Sequence, residues 1–241
     1  MKIFLAGATG AIGRRLTPIL LAAGHGVTGA TRSADKAGES RRQGVEAVVV
    51  DVFDSRALQD VVVAARPDIV IHQLTDLPQV LDPALLRDAL ARNSHLRIDG
   101  TANLVAAARA AGARRLIAQS IAFAYAEGPE PHAENDPLAS AEGEQPGAVT
   151  ARGVRALEEA VVNAPGIEGV VLRYGRLYGP GTWNAAPSGR APLHVDAAAH
   201  AALLAVTGGA PGIYNIAEDE GAVSIEKARK LLGFDPAFRL G

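Results

Sequence analysis

The sequence predicts an α/β fold built as a doubly wound parallel sheet. Two observations predict it. Through the first half, short β-branched runs alternate with Ala/Leu/Arg-rich stretches of helical spacing, and a glycine-rich turn stands directly after the first run. Composition agrees, since 241 residues that are 48% hydrophobic and 21% charged can bury a sizeable core. The formal charge of -2 excludes a broadly basic nucleic-acid binder. The absence of cysteine excludes a disulfide framework, a thiol nucleophile and a cysteine-ligated metal. No apolar run approaches the ~18 residues of a membrane span, and glycines break the N-terminus too early for a secretory segment. The expectation is a cytoplasmic protein with no membrane or nucleic-acid partner.

In chain order, strands are predicted over 2–6, 26–31, 46–50, 68–72 and 114–119, with helices over 12–23, 55–65 and 83–111. Strand and helix in that alternation imply right-handed crossovers and a sheet covered on both faces. The continuously apolar run Ile69-Val70-Ile71 suits a buried parallel strand. From 126 to 149 the periodicity stops, and the Pro, Gly and acid content reads as a long surface loop. A helix over 150–163 and a strand over 169–174 follow, then an irregular stretch over 180–192. A helix over 195–206, a strand over 212–216 and a helix over 224–232 complete the chain. The division expected is a dinucleotide-binding unit over 1–174 and a small substrate-binding portion over 175–241, partly interleaved with the first sheet.

The turn after the first strand reads Gly7-Ala8-Thr9-Gly10-Ala11-Ile12-Gly13. Gly7 permits the sharp turn, Gly10 lets backbone approach a pyrophosphate, and Gly13 lets the helix pack on the strand. The helix N-terminus then offers free N–H groups to phosphate. Together with Thr9, these residues form the expected Rossmann dinucleotide site. At the end of the second strand, an acid would read the ribose hydroxyls of NAD, whereas this chain has Arg32, followed by Ser33 and Lys36. The guanidinium fork suits a 2′-phosphate, so NADP is expected and NAD is the alternative. Asp51 and Val52 stand where the adenine edge would lie, and Gln73 and Leu74 follow the fourth strand beside the cofactor.

These residues bring a family into view. The sequence resembles the atypical or extended short-chain dehydrogenase/reductases of the NAD-dependent epimerase/dehydratase group. The resemblance runs through GATGAIGRRL (7–16), PDIVIHQL (67–74), DGTANLVAAARAAGARRLIAQS (99–120), VLRYGRLYGPG (171–181), LHVDAAAHAALLAV (193–206) and GIYNIAEDE (212–220). It implies a Rossmann fold, a nicotinamide cofactor and a small-molecule substrate. It also implies a Ser or Thr after the fifth strand, a Tyr-x-x-x-Lys pair on the next helix, and an assisting Asn. Ser120 matches the Ser if one residue is inserted before Tyr125; otherwise Ile121 takes the position. The family's spacing, counted back from Glu158, places Thr150 and Val154 at the Tyr and Lys positions, and Arg97 stands at the Asn position. The chain's four lysines, Lys2, Lys36, Lys227 and Lys230, are not placed to replace the missing one.

Candidate chemistry therefore falls on Ser120 as the hydroxyl that orients substrate, on Tyr125 as a substitute acid, and on Arg97. Arg97, four residues beyond Asn93 on the same predicted helix, would hold a fixed positive charge toward an oxyanion or carboxylate. In the resembled family the segment carrying Tyr174 and Tyr178 lines the nicotinamide end, and His194 belongs to the following His-Val-Asp stretch, so all three are expected on the substrate side. No histidine has metal-ligand spacing. The short 182–193 segment predicts a shallow cleft, or one completed by a partner subunit, and related proteins pair through the helices corresponding to 83–111 and 150–163, which implies a homodimer. Three functions follow: an NADP-dependent oxidoreductase or epimerase-like enzyme acting on a carbonyl or carbinol carbon, a non-catalytic NADP sensor, and a non-redox lyase or isomerase on the same scaffold.

Overall fold

The structure is a computed structural model that describes residues 1–42, 44–78 and 82–241. Its centre is a seven-stranded parallel sheet in the order β3-β2-β1-β4-β5-β6-β9. The strands are β1 (Lys2–Ala6), β2 (Gly26–Thr31), β3 (Glu46–Val49), β4 (Ile69–His72), β5 (Arg115–Ile121), β6 (Glu168–Tyr174) and β9 (Gly212–Ile216). The order reverses between β1 and β4, and open α/β sheets bind ligands outside the carboxyl ends of strands at such a switch point. All of β4 is buried, as a central parallel strand covered on both faces must be. A short parallel pair, β7 (Arg176–Tyr178) and β8 (Pro192–His194), lies outside the main sheet.

One face of the sheet is covered by α1 (Ala11–Ala22), α7 (Val195–Thr207) and α8 (Glu226–Leu232), which share a core with Ile3, Leu5, Ile69, Ile71, Val170 and Leu172. The alternate residues Phe4, Val70, Leu116 and Val171 face the other core. That core is closed by α3 (Ser55–Ala65), α5 (Thr101–Ala110) and α6 (Pro146–Val162). The two-residue alternation along each strand divides the apolar side chains between the two layers.

Besides the short pair β7–β8, which the sequence did not predict, three elements differ from expectation. A further helix, α2 (Ala34–Arg42), joins β2 to β3; it buries little besides Ala37 and Ser40, so it carries no apolar stripe to read. The helix expected over 83–111 is three pieces: α4 (Pro83–His95), a π turn (Leu96–Gly100), and α5. The π turn packs against α6 with Leu96, Arg97 and Gly100 buried. Helix α6 begins at Pro146, four residues before the expected start, because Pro at the first helical position loses no hydrogen bond and has its φ already set.

The expected surface loop is pinned on both sides. Ala126 N–H bonds to Pro137 O at 2.9 Å and Ala139 N–H to Ala124 O at 2.8 Å, folding the loop back on itself. His132 N–H reaches Ala222 O at 3.1 Å and Ser224 N–H reaches His132 O at 2.8 Å, tying the loop to the chain after β9.

Candidate active site

The turn at the N-terminus of α1 is shaped by backbone contacts that leave no room for side chains. Gly7 has φ +91, and a Cβ there would sit 2.5 Å from Gln73 O. A Cβ on Gly13 would lie 2.2 Å from Gly7 O. Gly10 differs: its nearest obstacle is Gly7 O at 3.4 Å, so the space above it is open. Gly10 caps α1 without a side-chain hydrogen bond, and the first turn carries no acid. The first N–H groups of α1 thus keep their capacity for an anion. A dinucleotide fits this cradle, with Gly7, Thr9, Gly10, Ala11, Ile12 and Gly13 around the pyrophosphate position.

The ribose end is less open. Arg32 lies 3.5 Å from Asp76, and Arg92 approaches the second Asp76 oxygen at 3.5 Å, so two guanidinium groups bracket one carboxylate. Asp76 is held by its own N–H, which bonds to Asn93 Oδ1 at 2.9 Å. Ser33 is occupied as a cap, accepting from Lys36 N–H at 3.3 Å. Asp51 is exposed and accepts from Phe53 N–H, while Val52 is buried and its carbonyl accepts from Asn103. Gln73 donates to Tyr174 Oη at 3.2 Å, and the Leu74 carbonyl accepts from Gln119 Nε2 at 3.1 Å, fixing the segment after β4. A strap from 179 to 184 crosses nearby. A Cβ on Gly181 would be 3.8 Å from Ala11 Cα, and Trp183 Nε1 donates to Pro78 O at 2.8 Å. The strap therefore joins the glycine turn to the segment after β4.

Deeper in the cleft, side chains from five places form one buried polar network. Glu158 on α6 accepts from Ser120 Oγ at 2.7 Å and from Arg173 on β6 at 2.8 and 2.6 Å. Arg173 also donates to Tyr125 Oη at 2.8 Å, and Tyr125 donates to Asn215 Oδ1 at 2.7 Å. Asn215 N–H bonds to Glu134 Oε1, which anchors the long loop. Ser120, Glu158, Arg173 and Asn215 are all buried. The protons of Ser120 and Tyr125 are thus committed to Glu158 and Asn215. Burial pushes the Tyr125 phenol above its ordinary range, against the pull of Arg173.

The positions that would carry a Tyr-x-x-x-Lys pair hold Thr150, half-buried, and Val154, fully buried against Ala124 and Leu138. Lys227 bonds to Ile213 O and lies over the Tyr214 ring, at the start of β9. Besides Arg173, Arg97 in the π turn also lies near Glu158. It is only 8% exposed and makes no hydrogen bond or ion pair with a described residue. Burial lowers its pKa to about 10, with Glu158 opposing the shift, so it is charged at neutral pH. His72 beside it is held down to about 4 by burial and by Arg97. Leu74 N–H donates to its Nδ1, so Nε2 carries the proton and donates to Thr101 Oγ1 at 3.1 Å.

Three expected substrate-side residues lie apart from that network. Tyr178 Oη donates to Glu218 at 2.5 Å and accepts from Arg239 at 2.9 Å. His194 accepts from Asp196 N–H as the cap of α7 and packs edge-on against Tyr178. Tyr174 is buried and meets Gln73. The sequence reading missed Glu158, Arg173 and Asn215 as members of the site; an arginine directly after the apolar run Val170-Val171-Leu172 was the visible signal. Among the described residues, no group of three or more His, Asp or Glu could hold a metal, and no helix is long and apolar enough to cross a membrane.

A family model described as the NAD dependent epimerase/dehydratase family matches residues 3–211. The chain belongs to that family. Among relatives of this epimerase/dehydratase-family protein is a 3-diazoavenalumate denitrifying reductase of Streptomyces sp., 43% identical over 92% of this chain and 77% of the relative. Solved structures show the same fold. The UDP-glucose 4-epimerase of Thermotoga maritima with UDP-glucose superposes with a TM-score of 0.79 at 19% identity, covering 99% of this chain and 94% of the other. The UDP-glucose 4-epimerase of Thermus thermophilus with NAD gives 0.73 at 24% identity, covering 98% and 85%. Family and relative together support an oxidoreductase or epimerase-like enzyme.

Proposed function

We propose that this chain is an NADP-dependent oxidoreductase of a small metabolite, and that its acceptor is one whose reduction leaves no oxyanion to protonate. The nicotinamide supplies a hydride when bound. NAD in solved neighbours and the side-chain-free cradle over Gly10 support a nicotinamide cofactor. Arg32, with Arg92 beside it, supports the 2′-phosphate form, and Asp51 and Val52 would take the adenine edge. The observation that carries the choice of acceptor is Thr150 and Val154 in place of the Tyr–Lys relay, with the Ser120 and Tyr125 protons already committed. A carbonyl reduced by hydride becomes an alkoxide that must take a proton. The diazonium form of a diazo compound does not: R–N2⁺ and H⁻ give R–H and N2, balanced in atoms and charge. A diazo compound is what the 43% identical relative is named for reducing.

In this site Arg97 holds the fixed positive charge against an oxyanion or phenolate on the substrate. Ser120 and Tyr125 are positioned by Glu158, Arg173 and Asn215, and Tyr125 lines a pocket beside them. Reduction of a carbonyl or carbinol carbon is the second reading, favoured by Tyr125, whose raised phenol stays protonated at neutral pH and is able to donate. The substrate portion over 175–241, a homodimer through the outer faces of α4 and α6, and a cytoplasmic location belong to the same proposal. The test is NADPH oxidation with a panel of carbonyls and an arenediazonium salt, with N2 measured and deuterium traced from 4-deuterated NADPH. One N2 and one product deuterium per NADPH support the reading, and consumption with carbonyls alone transfers it to Tyr125. Binding of NADPH without turnover of any acceptor would favour a sensor. Conversion without deuterium transfer would favour a lyase or isomerase. Arg32→Ala should cut the preference for NADPH over NADH by ~1–3 kcal/mol, the scale of a charged hydrogen bond.

A further inference from the structure

Beside the polar network, but not lined by Ser120 or Arg97, is a cavity of about 440 Å³. That volume falls within the range of about 300–1,000 Å³ typical of small-molecule sites. Its walls come from the segment after β5, from β7, from the chain before β8 and from the chain after β9. Two aromatic stacks shape it. The Tyr125 ring is stacked by the His132 ring at 4.8 Å and met by the Arg173 guanidinium at 5.0 Å. Phe123 has only the Arg176 guanidinium over it, at 4.3 Å, and is 39% exposed. Its exposed part adds apolar surface to the cavity wall.

The charges are unequal. Arg190 is ion-paired with Glu130, so its charge is answered. Arg176 makes no ion pair with a described residue; its guanidinium lies over the Phe123 ring and its stem runs past Gly189. Glu127, the other acid on the wall, is exposed to solvent. A guanidinium without an ion pair, lying over a part-exposed aromatic ring, recognises a planar group carrying one carboxylate: the ligand's ring packs on the exposed part of Phe123, and the fork of Arg176 turns to take the two oxygens.

We infer that this cavity binds the substrate by a conjugated aryl carboxylate, with Arg176 as the carboxylate anchor and Phe123 as the stacking platform. The inference deepens the reductase reading and rests on it for calling the ligand a substrate. The experiment is calorimetric titration of the full chain with trans-cinnamate, with its uncharged amide and with UDP-glucose, alongside NADPH titration by fluorescence. Cinnamate should bind at least ten-fold tighter than the amide. Arg176→Gln should abolish that difference, and Phe123→Ser should weaken acid and amide together. Because the Arg176 side chain is exposed and makes no hydrogen bond, the Arg176→Gln chain should fold, and its melting curve checks this. Equal affinity for acid and amide, an unchanged preference in Arg176→Gln, or tighter binding of UDP-glucose than of cinnamate overturns the proposal. A chain that binds cinnamate in this way but no NADPH would overturn the reductase reading and leave the aryl carboxylate site standing.

Discussion

Replacing Glu158 by Leu tests the buried network directly. Glu158 and Arg173 are 5% and 3% exposed and joined by two hydrogen bonds of 2.8 and 2.6 Å, with Ser120 adding a third at 2.7 Å. Removing the carboxylate strands a guanidinium that has lost its solvent and its counter-ion. Breaking one side of a buried pair costs about 3–5 kcal/mol, a large part of the roughly 5–15 kcal/mol that holds a typical domain together. Arg173→Met removes the same interaction from the other side and should cost a similar amount, because Glu158 then keeps only the Ser120 hydrogen bond and the more distant charge of Arg97. The double variant leaves neither ion and should cost clearly less than the sum, with a coupling of about 3 kcal/mol. Urea unfolding of the four proteins, followed by circular dichroism, gives each value from the midpoint and slope. A single variant that loses under ~1 kcal/mol, or a double that is simply additive, would refute the view that this pair is desolvated and mutually dependent.

Other consequences are as specific. Gly10→Ala should fold normally, since its Cβ meets only Gly7 O at 3.4 Å, and should weaken NADPH binding at least ten-fold; Gly13→Ala puts a Cβ 2.2 Å from Gly7 O and should cost about 3 kcal/mol or more of stability in the same urea assay. His72 is held down to about 4 in the fold against about 6.5 unfolded, so the unfolded chain binds the extra proton between those values. Its contribution is complete above pH 6.5 and is lost as pH falls toward 4, on the order of 3 kcal/mol; the stability difference between wild type and His72→Asn should shrink across that window, and a difference independent of pH would contradict it. Trp183 is the single tryptophan and is tied to Pro78 on a strap that also meets Ala11, so binding of a nicotinamide cofactor at the glycine turn should shift its emission. Trp183→Phe, lacking about 1 kcal/mol of hydrogen bond, should release NADPH about five-fold faster in stopped flow.

Much of this architecture is written in short-range pattern. Runs such as Ile69-Val70-Ile71 declare central strands, and the spacing Gly7, Gly10, Gly13 declares the cradle because each glycine answers a local steric demand. Helix α2 was not legible because it is polar on nearly every side. The network was not legible for a different reason. Glu158, Arg173, Tyr125 and Asn215 come from separate elements, and only the folded layers bring their hydrogen bonds together. From the sequence, Ser120 and Tyr125 read as free groups, whereas tertiary packing gives both protons a destination. Arg97 was visible as a departure at one position, but its burial without a partner among the described residues follows from the π turn.

That turn has a consequence for how the helix tolerates change in length. A π turn holds one more residue than a regular turn, and it occurs between Leu96 and Gly100, midway along the stretch from Pro83 to Ala110. Each residue of an α-helix advances the face by about 100°. A regular helix would cover the same rotation with one residue fewer, so a deletion inside the π turn mends the helix and leaves α4 and α5 in phase. The same deletion in the regular part of α4, just after Asn93, would swing everything before it by that angle: Asn93 would leave the Asp76 backbone, and Arg92 would leave the Asp76 carboxylate. The π turn is thus the place where this stretch tolerates a change in length. Its spare residue is slack between the half of the helix that carries Arg92 and Asn93 and the half that packs under the sheet.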